Sequence, residues 1–151
     1  MRIFKLLSIL FLLSASVNCS KSPFQCPIFI GQTVEATIEY VKDNNLPYSF
    51  HTSINGKPTM VIGKGIWTVE CRSENGIHVE QLYSTNKYEN ISWLIRDLNN
   101  QGEKITAYGD YTDCWVLIRN QGKIYAGLYK GLSYESTPYY VLTLQLGKPL
   151  Y

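Results

Sequence analysis

Turn signals punctuate this chain at short intervals: Asn55-Gly56, Glu74-Asn75-Gly76, Asn99-Asn100-Gln101-Gly102 and Asn120-Gln121-Gly122. Asn-Gly is the strongest of them, because both central positions of a two-residue hairpin need positive φ. Between the turns the side chains alternate with period two. Val34, Ala36, Ile38 and Tyr40 interleave with Thr33, Glu35, Thr37 and Glu39, and Ile91, Trp93 and Ile95 share a side opposite Ser92 and Arg96. Tyr140, Leu142, Leu144 and Leu146 do the same near the end. Such alternation reads as half-buried strands. The expectation is an all-β domain, an antiparallel meander of eight to ten strands with no long helix and no internal repeat. A meander of that size solves its edge problem by closing into an up-and-down barrel. A β-sandwich is the alternative, with 42–47, 84–90 and 131–138 as its candidate crossovers.

The first 19 residues divide as a secretory signal does: Arg2 and Lys5, then the apolar run Leu6 to Leu13, then small and polar residues to Cys19. The run is too short for a bilayer span, which needs about 20 apolar residues. Cleavage after Ser16 or after Cys19 fits, leaving residues 20–151 as one domain. The whole chain carries 14 basic and 12 acidic residues, and the signal takes two of the bases. A mature chain so close to neutral has no electrostatic footprint for nucleic acid or an anionic membrane.

Secretion places the thiols of Cys19, Cys26, Cys71 and Cys114 where disulfides persist, in pairings that sequence alone leaves open. No Cys/His group has metal spacing, so no metal or cofactor is expected. Asn90-Ile91-Ser92 is a glycosylation sequon.

Gly109-Asp110-Tyr111-Thr112-Asp113-Cys114-Trp115-Val116-Leu117 resembles the Thr-Asp-Tyr segment that lipocalins carry before a late barrel strand. Ile30 to Glu35 stands where that family has its Gly-x-Trp signature, with Thr33 in place of the tryptophan. The resemblance covers about a dozen residues. It implies an eight-stranded barrel with a small apolar ligand inside, and Asp110 and Tyr111 shaping its closed end.

Read for chemistry, the chain offers little. His51 and His78 are the only histidines. Cys71 and His78 flank one hairpin, but oxidation of Cys71 and a solvent-facing His78 beside Glu80 is the plainer reading. The carboxylates are scattered, the glycines lie in turns, and Asp110 with Asp113 lacks a calcium loop. The aromatics stand out: three tryptophans and twelve tyrosines. Tyrosine serves where one end is dry and the other wet, as in pockets and interfaces. Trp67, Val69, Trp93, Ile95, Val116, Tyr125 and Tyr129 are the candidate ligand-binding residues, and 134–140 a candidate rim.

These observations point to a secreted, extracellular, non-catalytic protein holding a small apolar ligand. The alternatives are an immunoglobulin-like sandwich binding another protein, and a hydrolase or inhibitor without a motif. The sandwich would have the order Cys71…Trp93…Cys114 with those cysteines bonded.

Overall fold

The computed structural model describes residues 27–150 apart from 53–55 and 65–66. The segment 1–19 expected to be a signal, which includes Cys19, lies outside them, as do Cys26 and Asn55. The element order is α1 (Val34–Asp43), β1 (Tyr48–Thr52), β2 (Pro58–Lys64), β3 (Trp67–Glu74), β4 (Ile77–Thr85), α2 (Glu89–Gln101), β5 (Glu103–Ile105), β6 (Asp113–Arg119), β7 (Gly122–Leu132) and β8 (Pro138–Leu146).

Two of the expected strands are helices. In α1, the Thr33 side chain accepts the Ala36 amide, Glu35 sits in the first turn and Lys42 in the last, so cap and macrodipole both favour the helix. Thr37 and Val41, four apart, are its buried residues. In α2 the buried set is Ile91, Leu94, Ile95 and Leu98, the i, i+3, i+4, i+7 pattern of an amphipathic helix. Ile91 and Ile95 satisfy period two as well as period 3.6, and Leu94 and Leu98 break the tie. Asn99–Gly102 is therefore no hairpin turn. It is the helix end, where the Gly102 amide bonds the Leu98 carbonyl at 2.8 Å.

The eight strands form one antiparallel sheet in the order β1-β2-β3-β4-β8-β7-β6-β5. The order is palindromic: each half is a helix followed by a four-stranded meander, and the halves meet where β4 pairs with β8. β1 and β5 are the edges, so hydrogen bonds do not close the sheet into a barrel. The expected barrel assumed that each strand pairs with the next. Between β4 and β5, α2 carries the chain away instead, and the second meander returns from the far edge. The β3–β4 turn is as expected, with Asn75 and Gly76 at φ 52° and 76°.

Two rows of residues across the sheet define its faces. Phe50, Met60, Cys71, Gln81, Leu144, Ala126, Trp115 and Lys104 are successive cross-strand partners on one face. Next to them run Ser49, Val61, Glu70, Leu82, Thr143, Gly127, Cys114 and Ile105 on the other. The first face carries the helices and most of the core. Trp115 Nε1 donates to Asn99 Oδ1 of α2 at 2.9 Å, and Tyr83 Oη donates to the Asn90 carbonyl at 3.1 Å. Among the described residues no helix lies over the second face.

These rows correct the sandwich expectation. Cys71 and Cys114 are both buried and not bonded to each other. They lie on opposite faces of one sheet with three strands between them, and at about 4.8 Å per strand that separation is far beyond disulfide reach.

Candidate functional site

On the helix-free face, β7 reads Tyr125, Gly127, Tyr129, Gly131 at alternate positions. Gly127 leaves bare backbone between the two tyrosines, and Gly131 leaves it beyond the second. A Cβ on Gly127 would lie 2.7 Å from the Tyr111 ring and 2.8 Å from Leu150 Cδ1. Gly127 is thus the floor on which Tyr111 and Leu150 rest. A Cβ on Gly131 would lie 2.6 Å from Tyr129 Oη, so the Tyr129 side chain leans along the strand over that second gap.

Two segments reach across this floor. The stretch between β5 and β6 brings Tyr108 and Tyr111 edge to face, with ring centroids 6.0 Å apart. It is fastened to β7 by Thr112, whose amide and hydroxyl both donate to the Leu128 carbonyl. The tail after β8 turns at Gly147 (φ 73°), and the Leu150 amide donates to Tyr108 Oη at 3.0 Å. Loop and tail together make one wall; Tyr129, Val141 and Thr143 make the opposite side. The groove between them, closed off by Gly109 and Asp110, holds about 480 Å³ and is more apolar than polar. Among the described residues of its lining, Asp110 is the charged one.

Of the candidate ligand residues, only Tyr129 lines this groove. Tyr125 and Val116 are cross-strand partners on the same face, half-buried and farther along it. Val69 and Ile95 are buried in the core on the helix side. Trp93 is on α2, half-buried, its Nε1 donating to the Asn90 carbonyl at 3.0 Å. Trp67 opens β3 opposite Lys64 and Thr85. Asp110 and Tyr111, singled out by the resemblance, do line the groove. Val141, Thr143, Leu150 and Gly127 went unmarked, although the Tyr-x-Gly-x-Tyr-x-Gly alternation was a readable signal for bare floor on one face of a strand.

His78 is not solvent-facing. Between the pairs Arg72–Glu80 and Ser73–His78 the β4 strand holds one extra residue, Val79. This bulge reverses the alternation and turns His78 onto the helix face, away from Glu80's side. There it is fully buried, with Ser73 Oγ 2.8 Å from Nδ1 and Thr37 Oγ1 3.0 Å from Nε2. Thr37 also donates to the Thr33 carbonyl, so it accepts from Nε2–H, and Ser73 donates to the bare Nδ1. Burial holds the imidazole below its ordinary pKa, against the opposing charge of Glu35. The group ties α1 to β3 and β4. Burial also pushes the Cys71 thiol up to about 12, which makes it a poor nucleophile at neutral pH.

Asn90 stands in the first turn of α2, half-buried, with Nδ2 donating to Thr85 Oγ1 at 3.1 Å. Among the described residues no group of three His, Cys, Asp or Glu side chains could hold a metal ion. No described helix is long and apolar enough to cross a membrane. No family model, curated protein or solved structure matches the chain.

Proposed function

We propose that this is a secreted, non-catalytic binding protein that takes a small, mainly apolar ligand into the groove on the helix-free sheet face. The observation that carries the reading is the bare backbone at Gly127. It lets Tyr111 and Leu150 sit on the sheet and turns a flat surface into a walled one. Ligand sites are concave and mostly apolar, with a few polar groups to set orientation. Here Val141, Leu150 and the two tyrosine rings supply apolar surface, while Thr143 and Asp110 offer the polar contacts. The ligand rests on the face of an open sheet, where the lipocalin resemblance would have put it inside a barrel.

A second reading rests on the β7–β8 hairpin. It runs past the last partner of β6, where Asp113 meets Leu128, and past the last partner of β4, where Thr85 meets Tyr140. Beyond those points Leu132 and Tyr134 are strongly exposed and Tyr139 partly so. Aromatic residues presented in this way suit a protein partner.

Native mass spectrometry of the purified protein, set against its denatured mass, separates the two. A reproducible excess that disappears on denaturation supports the groove. A stoichiometric protein adduct lost on Tyr134→Ser, with no small-molecule excess, favours the hairpin.

A further inference from the structure

The charge in the groove on the helix-free face comes from Asp110, and among the described residues no cation is ion-paired to it. The lysines of the flanking segments are engaged elsewhere. Lys104 of β5 and Lys130 of β7 lie 2.7 Å and 3.5 Å from Asp113. Lys130 alternates with Tyr129 along β7, so it stands on the opposite face from the groove. Lys148 of the tail lines a separate cleft with Arg72 and Glu74. The groove therefore holds a carboxylate without a countercharge, together with the rings of Tyr111 and Tyr129. The π face of a tyrosine is negative and attracts a cation lying within about 6 Å of its centre. Carboxylate and rings thus favour the same sign of ligand charge.

We propose, resting on the reading of the groove as the ligand site, that its ligand is an organic cation: a substituted ammonium on an apolar body, the nitrogen beside Asp110 and the tyrosine rings. A hard metal ion does not fit, because it takes several oxygen ligands and the lining supplies a single carboxylate. A wholly neutral ligand fits less well, since covering Asp110 would take its charge out of water with nothing to pair it. A substituted ammonium answers both conditions. Its charge is spread over apolar groups that suit ring faces, and its body suits Val141 and Leu150.

The purified full chain is titrated by calorimetry with two probes of the same shape. One is para-tert-butylbenzyl alcohol, and the other is para-trimethylammonio-benzyl alcohol, in which a positive nitrogen replaces the quaternary carbon. The ratio of their affinities reads the charge alone. The cation is expected to bind wild type about tenfold more tightly, and Asp110→Asn, shown folded by thermal unfolding, to remove most of that preference. Asp110→Ser serves in its place if the asparagine variant does not fold. Equal or weaker binding of the cation, in a protein that takes up the neutral alcohol or the neutral fluorophore N-phenyl-1-naphthylamine, overturns the organic cation and leaves the groove reading intact. A preference that survives the loss of the carboxylate overturns it as well. A protein that takes up none of the three probes overturns both.

Discussion

The side chain of Gln81 and the backbone of Phe29 meet at 2.8 Å, both fully buried, the one on a central strand and the other on the arm that precedes α1. A primary amide in the core is tolerated because both of its ends are used: the arm supplies an N–H to its oxygen and a carbonyl to its nitrogen. Gln81→Leu would take the acceptor from the buried Phe29 amide and remove the bond to the Pro27 carbonyl. The expected cost is about 1–3 kcal/mol, read as a lower urea midpoint at unchanged slope. An unchanged midpoint would mean that the arm is not fastened here.

His78 makes stability depend on pH. Its folded pKa lies below the unfolded value of about 6.5, so the unfolded chain binds the proton more readily. Its contribution is complete above that value and is lost as pH falls through it towards the folded pKa. Urea unfolding at pH 7.5 and pH 5 should show a lower midpoint in acid. His78→Gln should flatten that difference. A slope retained in the variant would assign the effect to other groups.

At the other end of the sheet, Asp113 lies 2.7 Å from Lys104 Nζ and 3.5 Å from Lys130 Nζ. The hydrogen bond from Lys104 leads the causes that hold its carboxyl below the usual range, and burial opposes it. The group contributes above its unfolded pKa and loses that contribution as pH falls through the folded one. Both lysines are well exposed, so Asp113→Asn should cost no more than about 1 kcal/mol, and less in high salt. A cost that salt does not change would point to packing.

Gly127→Ala tests the floor of the groove from the stability side. A methyl group within 3 Å of Tyr111 and Leu150 forces one or both off the sheet. Overpacking of this kind costs about 1–3 kcal/mol. Gly56, at φ 72° with open space around it, serves as the contrasting position, where strain comes from the backbone alone. If Gly127→Ala unfolds at the wild-type midpoint, the loop and tail do not bear on the sheet.

Much of the sheet was legible in the sequence. Alternation from Tyr139 to Leu146, together with Asn75-Gly76, located a strand and a turn because each signal is local and single-valued. The helices were hidden where two periods coincide: Ile91 and Ile95 fit either, and only Leu94 and Leu98 distinguish them. The Thr33 cap of α1 was visible as a residue type but was read into a strand. Sheet order was not legible at all, because nothing local says that β4 pairs with β8. The same holds for the groove. Asp110 and Tyr111 are far in sequence from Val141 and Leu150, and only the folded sheet brings them to one floor. One bulge residue, Val79, was enough to put His78 on the opposite face from the one alternation assigns.

The groove is the proposed ligand site, and titration with a neutral apolar fluorophore, N-phenyl-1-naphthylamine, tests it. The wild-type protein should give saturable, one-site enhancement, with affinity reduced at least tenfold by Tyr129→Ala and by Gly127→Ala, in samples whose thermal unfolding shows them folded. Equal binding by wild type and both variants, or no saturable binding by wild type after denaturing extraction and refolding, would contradict it.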